Sequence, residues 1–329
     1  MEKVPSYRVS VAPMMDWTDR HFRFFIRLIT KKALLYTEMV TTGAILKSKS
    51  NHRYLQFSFE ELPLSLQLGG DSPKELAECA KIGEEYGYSE INLNIGCPSE
   101  RVQSGSFGAC LMKEPDLVAE MVASCKAKVK IPVTVKHRIG VNGKESYEDL
   151  FNFVNSIYKA GVDGIAVHAR IAILEGLSPK ENRTVPPIRY NDVYRLKTDF
   201  PNLPISINGQ IKSINEMKEH LQFVDGVMIG RAAYENPFLF QTVDFNFFGE
   251  NEQSVTREEV LEKLQPYYEK ELSLGTKPHH ILRHCFGLYH GANGAGQYRK
   301  FLTSTMFDLN KSHTILKDFL KIATNPIPF

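Results

Sequence analysis

The chain has 329 residues, room for one large domain and a small one, and its 43% apolar and 24% charged residues are those of an ordinary globular protein. No run of 18 or more apolar residues offers a membrane span, and the N-terminal MEKVPSYRVS lacks the apolar core of a signal peptide, so a cytoplasmic location is expected. Five cysteines (Cys79, Cys97, Cys110, Cys125, Cys285) without CxxC spacing exclude a disulfide framework and give no metal site, while the net charge of +2 says little until its distribution is seen.

In chain order, short apolar runs alternate with amphipathic helical stretches as far as about residue 240. The expected strands cover 8–14, 33–39, 63–70, 90–97, 132–140, 163–170, 204–211 and 225–233. Between them lie helical patterns such as 72–87, with Ser72, Pro73 and Glu75 as a start signal, and 114–129. Eight strand–helix units predict an α/β fold, a (β/α)8 TIM barrel, over a doubly wound open sheet. Beyond Asn251 the strands cease. Helical patterns at 256–272, 277–291 and 313–323 predict a small all-helical domain, giving expected domains at 1–245 and 246–329. From Lys277 onward seven lysines and arginines against two acids leave a local balance of +5, which suits a polyanionic substrate.

Polar side chains gather at the expected strand ends: Glu38, Gln67, Asn94 with Cys97, Lys136 with Arg138, His168 with Arg170, Asn208 with Gln210, and Gly230 with Arg231. Carboxyl ends of barrel strands build the catalytic mouth. The glycines of NGQ (208–210) and GR (230–231) let backbone amides approach phosphate beside Arg231, as expected of a phosphorylated cofactor. Lys136 fits either a Schiff-base lysine or a cation beside a flavin ring. Gln67 can both donate to and accept from a pyrimidine edge, and Met14 and Met15 offer soft apolar surface to a flat ring. Together these favour flavin over aldolase chemistry. No strand–GxGxxG–helix unit marks a Rossmann site, and GANGAG (291–296) reads as a turn between helices. The polar stretch 174–190 is a long loop of the kind that is often functional.

Collinear stretches then carry a resemblance over nearly all of the barrel: VAPMMDWTDRHFR (11–23), TEMVTTGAI (37–45), SLQLGG (65–70), INLNIGCPSERVQSGSFGACLM (91–112), VTVKHRIG (133–140), HAR (168–170), GLSPKENR (176–183), NGQI (208–211) and GRAAYENP (230–237). The sequence resembles the tRNA-dihydrouridine synthases, specifically the bacterial A subfamily acting on D-loop positions 20 and 20a. The resemblance implies FMN as cofactor, NADPH as reductant and tRNA as partner, in a protein expected to act as a monomer. It implies flavin contacts at Pro13, Met14, Met15, Gln67, Lys136, His168, Asn208, Gly209, Gln210, Gly230 and Arg231. Cys97 becomes the proton donor, Asn94 a contact to the target uridine, and Arg183, Pro186 and Arg299 contacts to tRNA.

Two departures stand out. After HAR the subfamily continues Lys-Ala-Trp, where this chain has Ile171-Ala172-Ile173; near the C-terminus Gly296 replaces an arginine. The chemistry also explains why a thiol sits at a strand tip, between Gly96 and Pro98. Reducing the C5=C6 bond of uracil needs a hydride at C6 and a proton at C5, and a cysteine with an ordinary pKa of about 8.5 is mostly protonated near pH 7. Cys79, Cys125 and Cys110 read as core. A target base inside folded tRNA must be extruded to reach such a pocket. The competing functions are an FMN-dependent reductase of a free pyrimidine or enone, and an RNA-binding protein with a decayed site.

Overall fold

The computed structural model describes residues 4–48, 52–99, 102, 105–251, 255–307 and 318. They form two compact units: Met1–Asp16 with Ala33–Gly230, and Trp17–Lys32 with Arg231–Phe329.

The first unit is a parallel barrel. Its strands are β1 (Val9–Val11), β2 (Leu35–Tyr36), β3 (Val40–Thr41), β4 (Leu64–Gly69), β5 (Glu90–Ile95), β6 (Val133–Arg138), β7 (Gly164–His168), β8 (Ile205–Asn208) and β9 (Gly226–Ile229). They run in the order β1-β9-β8-β7-β6-β5-β4-β2, with β3 also on β4. A parallel bridge of Ser10 with Leu34, and the Val11 N–H on the Leu34 carbonyl at 2.9 Å, join β1 to the start of β2 and close the ring. β2 and β3 share one position, so the barrel has the eight expected from sequence. That second strand breaks because the Thr37 hydroxyl accepts the Gln67 N–H at 3.0 Å, where a strand carbonyl would otherwise serve.

Alternation sorts the side chains. Ile91, Leu93 and Ile95 of β5 are buried under the surrounding helices, while Glu90, Asn92 and Asn94 share the other face of the strand. The helix Pro73–Tyr86 starts as expected, with the Ser72 hydroxyl accepting from Glu75 N, and stops at Gly87 in the left-handed conformation (φ 92°). At Gly83 this helix comes so close to the sheet that a Cβ would lie 2.7 Å from Leu66 and 2.8 Å from Ile91. Except for the broken second strand, whose β3 piece lies past the expected end at 39, the strands end one to four residues short of the expected carboxyl ends, because the residues there leave the ladder to build the rim.

The second unit is helical: Arg20–Arg27, Arg231–Glu235, Val243–Phe248, Arg257–Ser273, Pro278–Leu282 and Ala295–Thr305. Asp19 caps the first of these, its Oδ1 accepting from His21 N at 2.9 Å and Phe22 N at 3.0 Å, and its carboxylate also pairs with Arg283 and His284. Thr256 and Glu259 form a capping box for Arg257–Ser273. The helix expected over 277–291 is real only for Pro278–Leu282. Beyond it the chain makes i→i+3 turns, because Gly287 passes so close to the Tyr234 and Glu235 carbonyls that a Cβ would sit 2.6–2.7 Å from them. GANGAG is a turn as far as Gly294, which caps the helix Ala295–Thr305. The helix expected over 313–323 lies outside the described residues, apart from Asp318.

Candidate active site

The strand ends of the first unit bring most of the expected side chains together. The register sets Gln67 beside Asn92, Asn94 beside Lys136, Arg138 beside His168, and His168 beside Asn208. β5 ends where it does because Asn94 turns its Oδ1 back to accept the N–H groups of Gly96 (3.2 Å) and Cys97 (3.0 Å). The strand tip is thereby folded into a fixed loop. Cys97 is half-buried, its thiol donating to Ser99 Oγ at 3.5 Å and its carbonyl accepting from Ala109 N at 2.9 Å. Gly108 (φ 80°) lies against this carbonyl; a Cβ there would sit 2.6 Å from it, so the position admits only glycine.

The remaining thiols differ from this one. Cys79, Cys125 and Cys285 are buried, and burial pushes each up to about 12. Cys110, expected in the core, is instead half-buried. It sits in the short 3₁₀ helix Gly108–Lys113 and donates to Phe107 O at 3.1 Å.

A cationic field fills the rim of β6 and β7. Burial, followed by the neighbouring Arg138 guanidinium, brings the Lys136 ammonium down to about 8. Burial first, then Arg138, Lys136, Arg170 and Arg183, hold the His168 imidazole well below its ordinary 6.5, so the ring is neutral near pH 7. Burial also lowers Arg138, to about 10. None of the main influences on these three groups is a carboxylate. Lys136, Arg138 and His168 at the ends of β6 and β7, with Arg170 and Arg183 of the following loop, thus gather basic side chains whose charges act on one another.

Lys136 gives a pH test. Between about 8 and the ordinary 10.5 of lysine, the unfolded chain keeps a proton that the folded protein has released, so this residue's contribution to stability rises with pH. In protein stripped of small molecules, the stability of wild type relative to Lys136→Met should climb across that window in urea titrations. A constant difference would contradict the environment described here.

The loop after β1 holds Pro13 and Met14 half-buried and Met15 exposed. Its turn at Asp16 (φ 64°) is held by Glu38, whose Oε1 accepts the Asp16 N–H at 2.5 Å. Asn208 is buried and donates to Met228 O at 2.7 Å. Gly209 has φ 134° and takes the Tyr190 hydroxyl on its carbonyl; Gln210, at φ 54°, is exposed. At Gly230 the space a Cβ would take is open. Arg231 opens the helix Arg231–Glu235 of the second unit. Arg183 is exposed and Pro186 buried in the loop after β7, and Arg299 is exposed on the helix Ala295–Thr305.

Arg138 had no role assigned from sequence, yet it ties the rim together. Its Nε donates to Gly96 O, and its Nη1 to Ile171 O and Asn182 O, each at 3.0 Å. Asn182 in turn folds the 174–190 loop by accepting from Ile173 N and donating to Ile173 O, both at 2.8 Å. Only the placement of Arg138 at a strand end could have signalled this. Among the described residues no helix is long and apolar enough to cross a membrane, and no group of three or more His, Cys, Asp or Glu could hold a metal ion.

A closed parallel barrel with a held thiol and a cluster of basic side chains at its strand ends defines a barrel enzyme with its site at the carboxyl face. The sequence model of the dihydrouridine synthase family matches residues 10–324, and the chain belongs to that family. It is 52% identical over 318 residues to the tRNA-dihydrouridine(20/20a) synthase of Synechocystis sp., covering 97% of this chain and 95% of that protein. The proteins of the same name from Pseudomonas putida and Escherichia coli are 53% and 51% identical, covering 94% and 98% of this chain and 90% and 97% of theirs. Among solved structures, the old yellow enzyme homologue from Zymomonas mobilis shares the fold at TM-score 0.54 and 11% identity, over 74% of this chain and 91% of that one. A 2-naphthoyl-CoA reductase complex does so at TM-score 0.57 and 11% identity, over 72% of this chain and 49% of that one.

Proposed function

We propose that the protein reduces uridines at positions 20 and 20a of the tRNA D-loop to 5,6-dihydrouridine, with FMN as cofactor and NADPH as reductant, in the cytoplasm. The observation that carries this reading is the hold on Cys97: its backbone N–H is fixed by Asn94 at the strand tip, and its thiol is half-exposed within electrostatic reach of Lys136 and Arg138. A bound flavin supplies the hydride, which goes to C6, the electrophilic end of the uracil enone. Cys97 then delivers the proton to C5 of the resulting enolate.

In this reading Lys136 would hold the flavin ring and supply positive charge where negative charge builds up on reduction. His168, neutral at working pH, offers a hydrogen bond without adding charge. Gln67 and the Pro13–Met15 loop hold the ring; Asn208, Gly209, Gln210, Gly230 and Arg231 hold the phosphate. Asn94 meets the uridine, and the single N–H left on its side-chain amide is suited to a uracil carbonyl. The working division is 1–245 for flavin and chemistry, and 246–329 with the 174–190 loop for tRNA. The test of the cofactor is direct: the purified protein should be yellow and should release FMN on denaturation, and a colourless protein that takes up no FMN would overturn it.

The grip on tRNA gives a second expected result. Each phosphate neutralised by Arg183 or Arg299 releases counterions, so binding should weaken steeply with salt. Arg299→Ala should weaken binding and flatten the log–log salt dependence by roughly one unit for each phosphate no longer neutralised, leaving flavin content intact. Gly296 is exposed with open space around its Cβ position, so Gly296→Arg fits without strain and should tighten binding. Filter binding across a salt series checks both; an unchanged slope for Arg299→Ala removes that residue from the interface.

A further inference from the structure

The inner wall of β4, β5 and β6 carries polar side chains where barrels ordinarily stack branched apolar ones. These groups satisfy one another in a single chain. From the rim inward, the Gly96 and Cys97 N–H groups donate to Asn94 Oδ1, and Asn94 Nδ2 donates to Gln67 Oε1 at 2.8 Å. Gln67 Nε2 donates to Asn92 Oδ1 at 2.8 Å, and Asn92 Nδ2 to Thr134 Oγ1 at 2.9 Å. Thr134 has one proton to give, and Glu90 Oε1 at 2.7 Å takes it in preference to the Ile91 carbonyl at 3.5 Å. Ser65 donates to the same oxygen at 2.8 Å, and the Tyr36 hydroxyl also hydrogen-bonds this buried carboxylate.

Every donor in the chain therefore points toward Glu90. The two ends of an amide have the same shape, so packing alone does not choose which way Asn92, Gln67 and Asn94 face. Glu90 Oε1, which accepts from both Thr134 and Ser65, does choose. Because Thr134 and Ser65 both use Oε1, the direction survives protonation of the other carboxyl oxygen.

We propose that Glu90 is a positioning residue for the reduction: its carboxylate sets the direction of the chain through Thr134, Asn92 and Gln67, so that Asn94 presents its carbonyl oxygen, not its NH2, to the backbone of Cys97. In the reversed chain the Asn94 NH2 would face two N–H groups, and both holds on the Cys97 loop would be lost. The inference rests on the proposed role of Cys97 for its effect on turnover, but its effect on the loop does not depend on that role.

The holoenzyme tests it with Glu90→Gln, which can accept or donate and no longer imposes a direction; with Thr134→Val, which cuts the link while keeping the shape; and with Ser65→Ala, which removes a hydroxyl that lies off the chain. Two rates are read: alkylation of Cys97 by iodoacetamide, followed by peptide mass, and single-turnover oxidation of the reduced flavin by tRNA. Glu90→Gln and Thr134→Val should change alkylation several-fold and slow turnover on the order of 10- to 10²-fold with tRNA affinity held, as expected for a displaced reacting group. Ser65→Ala should change neither. Because Glu90 acts through Asn94, adding Glu90→Gln to Asn94→Ala should cost nothing further; additive losses would mean a general structural role and overturn the proposal. Wild-type alkylation and turnover in both Glu90→Gln and Thr134→Val would also overturn it. Should Glu90→Gln fail to fold, Thr134→Val carries the test alone. If alkylation shifts as expected but wild type makes no dihydrouridine, the positioning stands and the functional reading falls.

Discussion

Replacing Cys97 with alanine should leave a yellow, tRNA-binding protein that scarcely turns over. The loss of a general acid costs about 10²–10⁴-fold in rate. The substitution removes only the thiol: the contacts that shape the loop are made by the Cys97 backbone, through its N–H to Asn94 and its carbonyl from Ala109, and alanine keeps both. Reduction of the flavin by NADPH should proceed as in wild type, since no uracil is present to be protonated. The two half-reactions therefore separate the claim: a normal reductive half-reaction followed by a stalled oxidative one on tRNA. Cys110→Ala should do little, because that thiol is turned back onto the Phe107 carbonyl. Wild-type oxidation of the reduced Cys97→Ala enzyme by tRNA would assign the proton to another group.

Lys136→Met should weaken FMN retention and lower the reduction potential of whatever flavin remains. The side chain is a cation that burial and Arg138 already strain toward its neutral form. A neighbouring negative charge relieves that strain, so the ammonium favours the reduced, anionic ring over the oxidised, neutral one. Methionine keeps most of the volume and apolar stem and deletes the charge, which separates electrostatics from packing. Burial and Arg138 bring Lys136 down to about 8 in the protein without flavin, and a reduced ring beside it would draw it back up, so the two potentials should be compared near neutral pH, where the lysine is charged. A potentiometric titration with equal midpoints in the two proteins would remove the role.

Much of this was legible in the sequence, because a barrel writes its strands as short apolar runs and its site as polar residues at their ends. Gln67, Asn94, Lys136, His168 and Asn208 stand on neighbouring strands for that reason. What could not be read depended on contacts distant in sequence. Residues 17–32 follow the first strand, yet they belong to the unit that contains 231–329, where Asp19 meets Arg283 and His284. The helical pattern of 277–291 gave no sign that Gly287 would meet the carbonyls of Tyr234 and Glu235. Likewise the period of two set Asn92 and Asn94 on one face but could not say that Glu90 ends their hydrogen-bond chain, because direction depends on Thr134, 44 residues away. Gly108 escaped notice, and Arg138 was given no role, for the same reason: each acts on the backbone beside Cys97 from another strand or loop.

The most direct measurement is the position of the product. tRNA lacking dihydrouridine, incubated with the purified protein and NADPH, should gain about 2 Da per reduced uridine, the hydride and proton of the reduction, mapped by nuclease mass spectrometry to positions 20 and 20a. The Cys97→Ala protein should leave the same tRNA unmodified. Dihydrouridine at other positions alone, reduction of free uridine with tRNA untouched, or no product from a flavin-loaded wild-type protein would contradict the proposed function.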